Sequence, residues 1–272
     1  MGWLKWKGVL MPNFVILENT PCPVRSERVT SIVDMPNNVP IIYQTKGYKV
    51  NNIPVNLGFR PRVFDRNFFN TYGGGSFAND AEIQALTTDE ILNIQFASIY
   101  NFLQGAGTLT FSSEPDKYYN AVCNAAIVPE RLSKKLRKLP VQFTCMPFRY
   151  SISNEVEEVT LTSLNEVSNT GTITYQGTEP SEPTIKIYVS GTQTVAMDFG
   201  NVGDSTYIKL NDITGSATID VQTRRVYDSN GNVILNSVEG DITKLRIKAP
   251  NTRVVIDKTC TKLEVLKNTR WR

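Results

Sequence analysis

The stretch 108–150, TLTFSSEPDKYYNAVCNAAIVPERLSKKLRKLPVQFTCMPFRY, organises the predicted fold of the first half of the chain. Residues 139–145 alternate apolar and polar side chains, and this period of two predicts a β-strand with one buried face. Residues 121–128 predict a second strand, and the segment PERLSKKLRK lies between the two. We therefore predict a pair of strands with a basic connection at its tip.

The basic connection carries five cations against a single acid, Glu130. The cations are Arg131, Lys134, Lys135, Arg137 and Lys138. The segment lacks the interleaved aromatic side chains on which single-stranded nucleic acids stack, and it belongs to no helix-turn-helix or zinc module. Sequence-specific nucleic-acid binding is therefore not expected. We take these five cations as candidate residues of a ring or tube interface, with a solvated loop as the alternative.

The composition predicts a folded globular protein of one or two domains. The chain has 272 residues, of which 40% are hydrophobic and 20% charged. No apolar run approaches the roughly 18 residues of a membrane span, and the first residues fit neither a secretory signal nor a myristoylation motif. We expect no membrane insertion. Residues 1–150 carry a net charge of +5 and residues 151–272 a net charge of −2, which predicts different partners for the two halves.

The absence of histidine from the whole chain excludes several kinds of active site. Ser-His-Asp and Cys-His catalysis and histidine-ligated metals all require that residue. A glycoside hydrolase needs only a suitably spaced pair of carboxylates. The candidate acids are Asp65, Asp80, Glu82, Glu155, Glu157 and Glu158. Because these acids lie in polar, loop-like segments where solvated charge is ordinary, we expect no enzyme, no catalytic or metal-binding residue and no cofactor.

Cysteine spacing gives no sign of a metal clip or a redox motif. The four cysteines are Cys22, Cys123, Cys145 and Cys260. They are too far apart for a Cys-x-x-Cys arrangement, and a chain made in a reducing cytoplasm is expected to keep them as buried free thiols.

The remainder of the first half predicts strands followed by one helix. Short apolar runs at 14–17, 29–33, 40–43 and 53–59 alternate with turn residues and predict antiparallel strands. Residues 64–77 contain three glycines without a following Lys-Ser or Lys-Thr, so a flexible loop is predicted there. Thr87 and Glu90 form a capping box, and Gly105 supplies a stop, which predicts a helix over 88–104. Its predicted buried face consists of Ile91, Leu92, Ile99, Phe102 and Leu103.

Beyond Tyr150 the helix signals end and short β-favouring runs repeat about every ten residues, which predicts a β-sandwich. The predicted strands are 156–164, 172–175, 184–189, 195–199, 206–210, 217–221, 225–227, 233–235, 242–247, 253–256 and 262–266. The pair Asn230-Gly231 predicts a hairpin turn rather than a calcium loop. We place a domain boundary at Tyr150, giving domains 1–150 and 151–272.

Several short motifs resemble a known family when they are taken in order. In the first half these are an acidic turn before paired tyrosines (Asp116, Tyr118, Tyr119), a helix with a glycine-rich exit, and the apolar-Pro-aromatic element at 146–150. In the second half they are Pro183-Thr-Ile-Lys-Ile, Asn230-Gly231-Asn232, Gly240-Asp241 and the closing Arg270-Trp271-Arg272. This order resembles the distal tail protein (Dit) family of siphophage tails over nearly the full chain.

The resemblance implies a mainly β fold and a structural role. It implies an N-terminal β-sheet domain with one α-helix and a long hairpin, tail-tube-like, and a C-terminal galectin-like β-sandwich. Proteins of this family are structural hubs of the tail tip. They form a hexameric ring that joins the tail tube to the baseplate or tail-tip and receptor-binding components, and the ring encloses the genome exit channel.

The implied partners and location follow from that role. The partners are other copies of the chain in a homo-hexamer, the major tail tube protein, a tail-tip or tail-associated protein and a receptor-binding protein, with DNA passing non-specifically. The implied location is the phage tail tip of the virion, after synthesis in the bacterial host cytoplasm. The candidate inter-domain junction consists of Pro147, Phe148, Arg149 and Tyr150.

A carbohydrate-binding, lectin-like module for host adsorption is the alternative. A sugar platform usually needs exposed aromatic side chains beside polar ones, and the candidates are Tyr175, Tyr188, Tyr207 and Tyr227. Tyrosines in strands more often pack with only the hydroxyl at the surface. Likeness of fold does not by itself transfer lectin activity.

Overall fold

The structure, a computed structural model, divides the chain into two compact units. It describes residues 2–18, 28–33, 41–123, 130–131, 137–153, 156–203, 205–234 and 237–272. The first unit comprises Met1–Arg149 together with Arg272, and the second comprises Tyr150–Trp271. Each unit encloses its own hydrophobic core. The predicted fold class, mainly β, is confirmed.

The described elements of the first unit begin with short strands and continue through three helices into longer strands. In chain order they are β1 (Leu4–Trp6), β2 (Val9–Leu10), β3 (Val15–Leu17), β4 (Arg28–Val33), β5 (Ile41–Tyr48), β6 (Asn51–Phe59), α1 (Arg66–Tyr72), α2 (Asp80–Gln84), α3 (Thr88–Leu103), β7 (Ala106–Phe111), β8 (Lys117–Cys123), β9 (Glu130–Arg131) and β10 (Arg137–Ser151).

The main sheet of the first unit has the strand order β2-β1-β7-β8-β10-β6-β3. β8 and β10 are neighbours in this sheet, as the strand pattern predicts, and β9 also pairs with β10. β4 and β5 form a separate two-stranded antiparallel hairpin. The sheet therefore joins the first residues of the chain to the stretch that begins near Thr108.

The buried face of this sheet comes from the alternation of β6 and β10. The antiparallel register places Leu139 opposite Leu57 and Val141 opposite Val55. The predicted inward face of β10, which includes Leu139, Val141, Phe143 and Cys145, is 0–2% exposed. Phe143 packs against the indole of Trp6 with ring centroids 5.2 Å apart. The period of two in the sequence thus identifies the core-facing side correctly.

Helix α3 confirms the predicted helix and its cap. The Thr87 hydroxyl accepts the Glu90 backbone N–H at 3.3 Å, and the Glu90 carboxylate accepts the Thr87 backbone N–H at 2.8 Å. These reciprocal bonds satisfy two donors that a helix start leaves unpaired. The five side chains predicted to face the core are at most 8% exposed.

The segment predicted as a flexible loop at 64–77 is instead partly helical, and that prediction is wrong. Asp65 caps α1 by accepting the Phe68 backbone N–H at 3.0 Å. Phe68 and Phe69 are buried, and Phe68 packs against Phe102 of α3 with ring centroids 5.2 Å apart. Aromatic packing against distant residues outweighs the local flexibility expected near three glycines. With α2, the first unit has three described helices where one was predicted.

The described elements of the second unit are strands and a short 3₁₀ helix. In chain order its elements are β11 (Val156–Glu158), β12 (Thr162–Ser163), β13 (Ser168–Thr174), β14 (Thr184–Phe199), β15 (Thr206–Asp220), β16 (Arg225–Asp228), β17 (Val238–Gly240), the 3₁₀ helix Ile242–Lys244, β18 (Asn251–Asp257), β19 (Cys260–Leu266) and β20 (Arg270–Trp271).

Two long, bent strands organise the second unit. β14 and β15 pair along almost their whole length, with register shifts between Tyr188 and Val195. On its other edge, β14 pairs first with β19 and then, beyond the shifts, with β18. β15 likewise pairs with β17 near its start and with β16 near its end. Because a bulge bends a strand, each long strand changes its neighbour along its length. Four strands predicted separately at 184–189, 195–199, 206–210 and 217–221 are therefore two.

Other predicted strands of the second unit are shorter than expected or absent. Residues 242–247, predicted as a strand, begin with the 3₁₀ helix, whose start Asp241 caps by accepting the Thr243 backbone N–H at 3.0 Å. Residues 156–164 contain two short strands. Of the predicted strand 233–235, Val233 forms an isolated bridge with Tyr227, and residue 235 lies outside the described residues. The Asp241 side chain favours a turn at residues 242–244 over a strand, because it hydrogen-bonds to the backbone two residues further on.

Candidate assembly surfaces

The basic connection lies beside the end of the long strand β10. The register places Arg137 opposite Arg131 and Lys138 opposite Glu130. Lys134 and Lys135 lie outside the described residues. The assignment of this segment to an interface stays a prediction.

Lys138 of the connection has an intramolecular partner. Its ammonium lies 3.3 Å from the Glu18 carboxylate, and its side chain is 26% exposed. A lysine that is partly buried and already ion-paired attracts another molecule less strongly than an exposed, unpaired lysine does. We therefore expect Lys138 to contribute less to an interface than a fully exposed cation would.

Arg149 of the candidate junction is held in a buried ionic cluster of the first unit. Its guanidinium donates to the Glu114 carboxylate at 2.6 and 2.8 Å and to the Arg272 carbonyl. Lys117 also donates to Glu114, at 3.2 Å. The Arg149 and Glu114 side chains are 10% and 17% exposed, so water screens this pair weakly.

Phe148 of the same stretch packs against the strand β5. Its ring meets that of Tyr48 edge-on, with centroids 5.3 Å apart, and the Arg272 guanidinium lies 5.9 Å from the centroid of the Tyr48 ring. Pro147 and Tyr150 are half-buried. Sequence reasoning identified this stretch but not Glu114, Lys117 or Tyr48, because no local pattern joins residues so far apart in the chain.

The face of the first sheet that points away from the core is uncharged over its centre. β6, β7, residues 118–123 of β8 and residues 139–148 of β10 contain no charged residue, while Lys117 stands at the start of β8. Thr144 donates to the Asn52 side chain at 3.1 Å on this face. A shallow depression of about 470 Å³ beside it is lined by apolar groups that include Val50 and Met146, which are 53% and 54% exposed. Exposed apolar surface of this kind is typical of contact with another molecule.

The acids considered for catalysis serve the fold instead. Asp65 and Glu82 accept hydrogen bonds at helix starts, and Asp80 lies 3.6 Å from Arg66. Glu157 pairs with Lys267 at 2.6 Å, and Glu158 pairs with Lys262 at 2.9 Å. Glu155 lies outside the described residues. Each described acid of this set therefore has a structural role.

The tyrosines considered for a sugar platform are separated by their environments. Tyr175 is 3% exposed and donates to the Glu179 carbonyl at 2.7 Å; burial raises the pKa of its phenol. Tyr188 donates to the Glu264 carboxylate at 2.8 Å, while Tyr227 is half-buried. Tyr207 is 54% exposed. Of the four tyrosines, only Tyr207 has the highly exposed ring that a sugar platform needs.

The Asn230-Gly231 turn is confirmed as a hairpin turn held by one carboxylate. Asp228 accepts the backbone N–H groups of Asn230 and Asn232 at 2.8 Å each. These bonds, led by the one from the Asn232 side chain, lower the pKa of Asp228. In the described part of the chain, no group of three or more acids and cysteines is placed to hold a metal ion.

Cys145 and Cys260 are buried free thiols, as predicted, whereas the free thiol of Cys123 is only half-buried. Burial raises the pKa of Cys145 to about 12 and that of Cys260 to about 11. Both thiols are therefore protonated at neutral pH and poor nucleophiles. Across the residues that the structure describes, no helix is long and apolar enough to cross a membrane.

These features define a mainly β protein of two units, whose described polar groups serve chiefly as helix caps, turn caps and ion-pair partners. Searches of protein-family models and of curated proteins returned no match for the chain. Among solved structures, the fold is similar to that of the Dit protein (gp 19.1) of phage SPP1, with a TM-score of 0.68 and 14% sequence identity. The likeness covers 97% of each chain. The predicted resemblance to Dit is thus confirmed for the fold, and the SPP1 protein is described as a paradigm of the hub adsorption apparatus in phages that infect Gram-positive bacteria.

Proposed function

We propose that the chain is a structural hub protein of a phage tail tip. In this proposal six copies form a ring that joins the tail tube to the baseplate or tail-tip and receptor-binding components, and the ring encloses the genome exit channel. The observation that carries the proposal is the likeness to SPP1 Dit over 97% of both chains, because it includes both units and not one common β domain.

The charge distribution of the first unit supports a ring that DNA can pass. A surface that neutralises many phosphates binds DNA strongly and would hold back a moving genome. The uncharged centre of the first sheet offers no such contacts, whereas the cations cluster at the β9–β10 connection. We place the uncharged face toward the channel or a neighbouring copy, and the basic connection toward the tube or a neighbouring copy.

We also propose that the chain is not an enzyme. The described candidate acids act as caps and ion-pair partners, which supports this proposal. The purified protein should release no reducing ends from bacterial cell-wall glycans. Glycan cleavage that disappears when Glu155, Glu157 and Glu158 are changed to Gln in a folded protein would contradict it.

Labelling of whole particles tests the proposed location. An antibody raised against residues 151–272 should decorate the distal end of the tail in particles that carry this chain, as seen by electron microscopy. Removal of the antibody by excess purified protein is the control for specificity. Labelling along the tube or on the capsid, with none at the tail tip, would contradict the hub assignment.

A further inference from the structure

A small polar pocket in the second unit is not used by the hub role. It has a volume of about 180 Å³, and all of its lining residues belong to Tyr150–Trp271. The residues that matter for its chemistry are Ser151, Ser153, Gln176, Lys267, Asn268 and Trp271. Its volume is below the roughly 300–1,000 Å³ typical of sites for drug-sized ligands, so it suits a single small ring.

The polar groups of this pocket have unused hydrogen-bonding capacity. The exposed Gln176 side chain bonds to no residue in the described part of the chain, and the Ser153 hydroxyl contacts only that of Ser151 there, at 3.3 Å. The Asn268 amide donates to the Glu182 carbonyl at 2.8 Å, which leaves its oxygen as an acceptor. Hydrogen-bond donors and acceptors thus line the same pocket, as a ligand rich in hydroxyl groups requires.

The charge in the pocket is compensated, which disfavours an anionic ligand. Lys267 is the charged residue among the lining groups. Its ammonium pairs with Glu157 at 2.6 Å and donates to the Thr174 carbonyl at 2.8 Å. A phosphate or carboxylate would have to compete with Glu157 for this cation, whereas a neutral ligand would leave the pair intact.

The pocket is also held in shape by the backbone. Asn268 adopts a left-handed backbone conformation with φ of 48°, which is uncommon for a residue with a side chain. The hydrogen bond from its side-chain amide to the Glu182 carbonyl holds it in place. The Ser151 backbone N–H donates to the Thr269 carbonyl at 3.1 Å on the same wall. A pocket organised before binding loses less entropy when a ligand enters.

We propose that this pocket binds one neutral monosaccharide ring of a glycan, of the hexose or N-acetylhexosamine class. Trp271 supplies a partly exposed aromatic surface of the kind on which the apolar face of a sugar packs. Gln176, Ser153 and Asn268 supply the neutral donors and acceptors for its hydroxyls. This site is distinct from the four tyrosines considered from the sequence.

Ligand-observed saturation-transfer NMR on the full-length protein tests the proposal, and it does not depend on ring formation. The probes are glucose, galactose and N-acetylglucosamine, with glycerol 3-phosphate as the anionic probe. We expect saturable binding of at least one sugar in the millimolar range, weakened about tenfold by Gln176→Ala, which removes hydrogen bonds from an exposed and otherwise unpaired side chain.

The matched control is Tyr207→Ala, which removes the exposed aromatic ring elsewhere on the same unit and should leave sugar binding unchanged. Trp271→Ala should abolish binding while circular dichroism and the melting temperature show that the protein stays folded. If Trp271→Ala does not fold, the effect of Gln176→Ala on sugar binding decides whether the pocket is the binding site. Absence of saturable sugar binding, binding of glycerol 3-phosphate alone, or loss of binding in the Tyr207 variant but not in the Gln176 variant would each overturn the assignment.

Discussion

Arg149 contributes to the stability of the first unit through a pair that water reaches poorly. Replacing it in Arg149→Met removes both bonds to Glu114 and leaves that carboxylate with Lys117. Breaking one side of a buried ion pair costs about 3–5 kcal/mol. We expect a loss of about 3 kcal/mol in the free energy of unfolding. It is measured by urea denaturation with tryptophan fluorescence in a Trp271→Phe background, so that the signal comes from Trp3 and Trp6 of the first unit.

The double variant Glu114→Met, Arg149→Met is the matched control for this prediction. Because it removes both charges, it should be more stable than Arg149→Met alone. The buried-pair account fails if the single variant loses less than about 1 kcal/mol, the range of exposed surface pairs.

Residue-scale prediction from the sequence succeeds only where the partners are near in the chain. The Thr87–Glu90 bonds and the Asp228 turn were both found, since each joins residues three or four positions apart. Arg149 and Glu114 are 35 positions apart, and the Tyr48–Phe148 contact is more distant still. The pocket around Trp271 was missed for the same reason, because it gathers side chains from three separate segments.

The cap of α3 gives a prediction at the scale of one element. Thr87→Ala removes the hydroxyl that accepts the Glu90 backbone N–H, and loss of such a cap costs about 1 kcal/mol. The change should appear as a lower urea midpoint with an unchanged slope. An unchanged midpoint would mean that tertiary packing alone holds the start of the helix.

The same cap has a predictable dependence on pH. The Thr87 hydroxyl, followed by its backbone N–H, lowers the pKa of Glu90 from its ordinary value of 4.5. A carboxylate with a lowered pKa stabilises the fold above its unfolded pKa and loses that contribution as the pH falls through its folded pKa. Stability should therefore fall below about pH 4.5 less steeply in Glu90→Gln, which keeps a cap acceptor, than in the wild type. Identical acid profiles would contradict this.

The basic connection gives a second prediction at this scale. Replacing Lys134, Lys135, Arg137 and Lys138 by Ser should weaken ring or tube assembly in a salt-sensitive way while both units fold, because exposed charges act through screened attraction. Assembly is measured by analytical ultracentrifugation at low and high salt. A triple variant that keeps Lys138, and with it the pair with Glu18, should show nearly the same defect with less effect on stability.

Lys209, Lys244 and Arg224 lie on the second unit, and changing them to Ser is the control for general loss of positive charge. Wild-type assembly by the quadruple variant, or an equal defect in this control, would contradict an interface role for the connection.

Element-scale prediction was reliable where a periodic pattern and a cap coincide, as in α3 and β10. It missed β1 and β2, whose hairpin turns at Lys7 and Gly8, with φ of 52° and 79°. Such a turn carries a weak signal when its first residue is a lysine. The sequence also predicts β14 and β15 as two strands each, because the turn-like residues near their bends interrupt the apolar pattern without ending the strand.

The whole chain is expected to consist of two independently folding halves. Each unit has its own core, and the stretch between β10 and β11 includes the exposed residue Ile152. A Glu-specific protease should therefore cut first at Glu155, ahead of β11, and release two resistant fragments, identified by mass spectrometry. Resistance throughout, with cleavage only near the two ends, would mean that the halves form one cooperative unit.

Negative-stain electron microscopy of the purified protein tests whether the chain forms the proposed ring. We expect rings of six copies with a central hole, and native mass spectrometry of the same sample should give six times the 30.5 kDa chain mass. Dissociation of these rings at high salt, with both units still folded, would fit an interface that uses the basic connection. A chain that stays monomeric both in solution and within assembled tails would contradict the account.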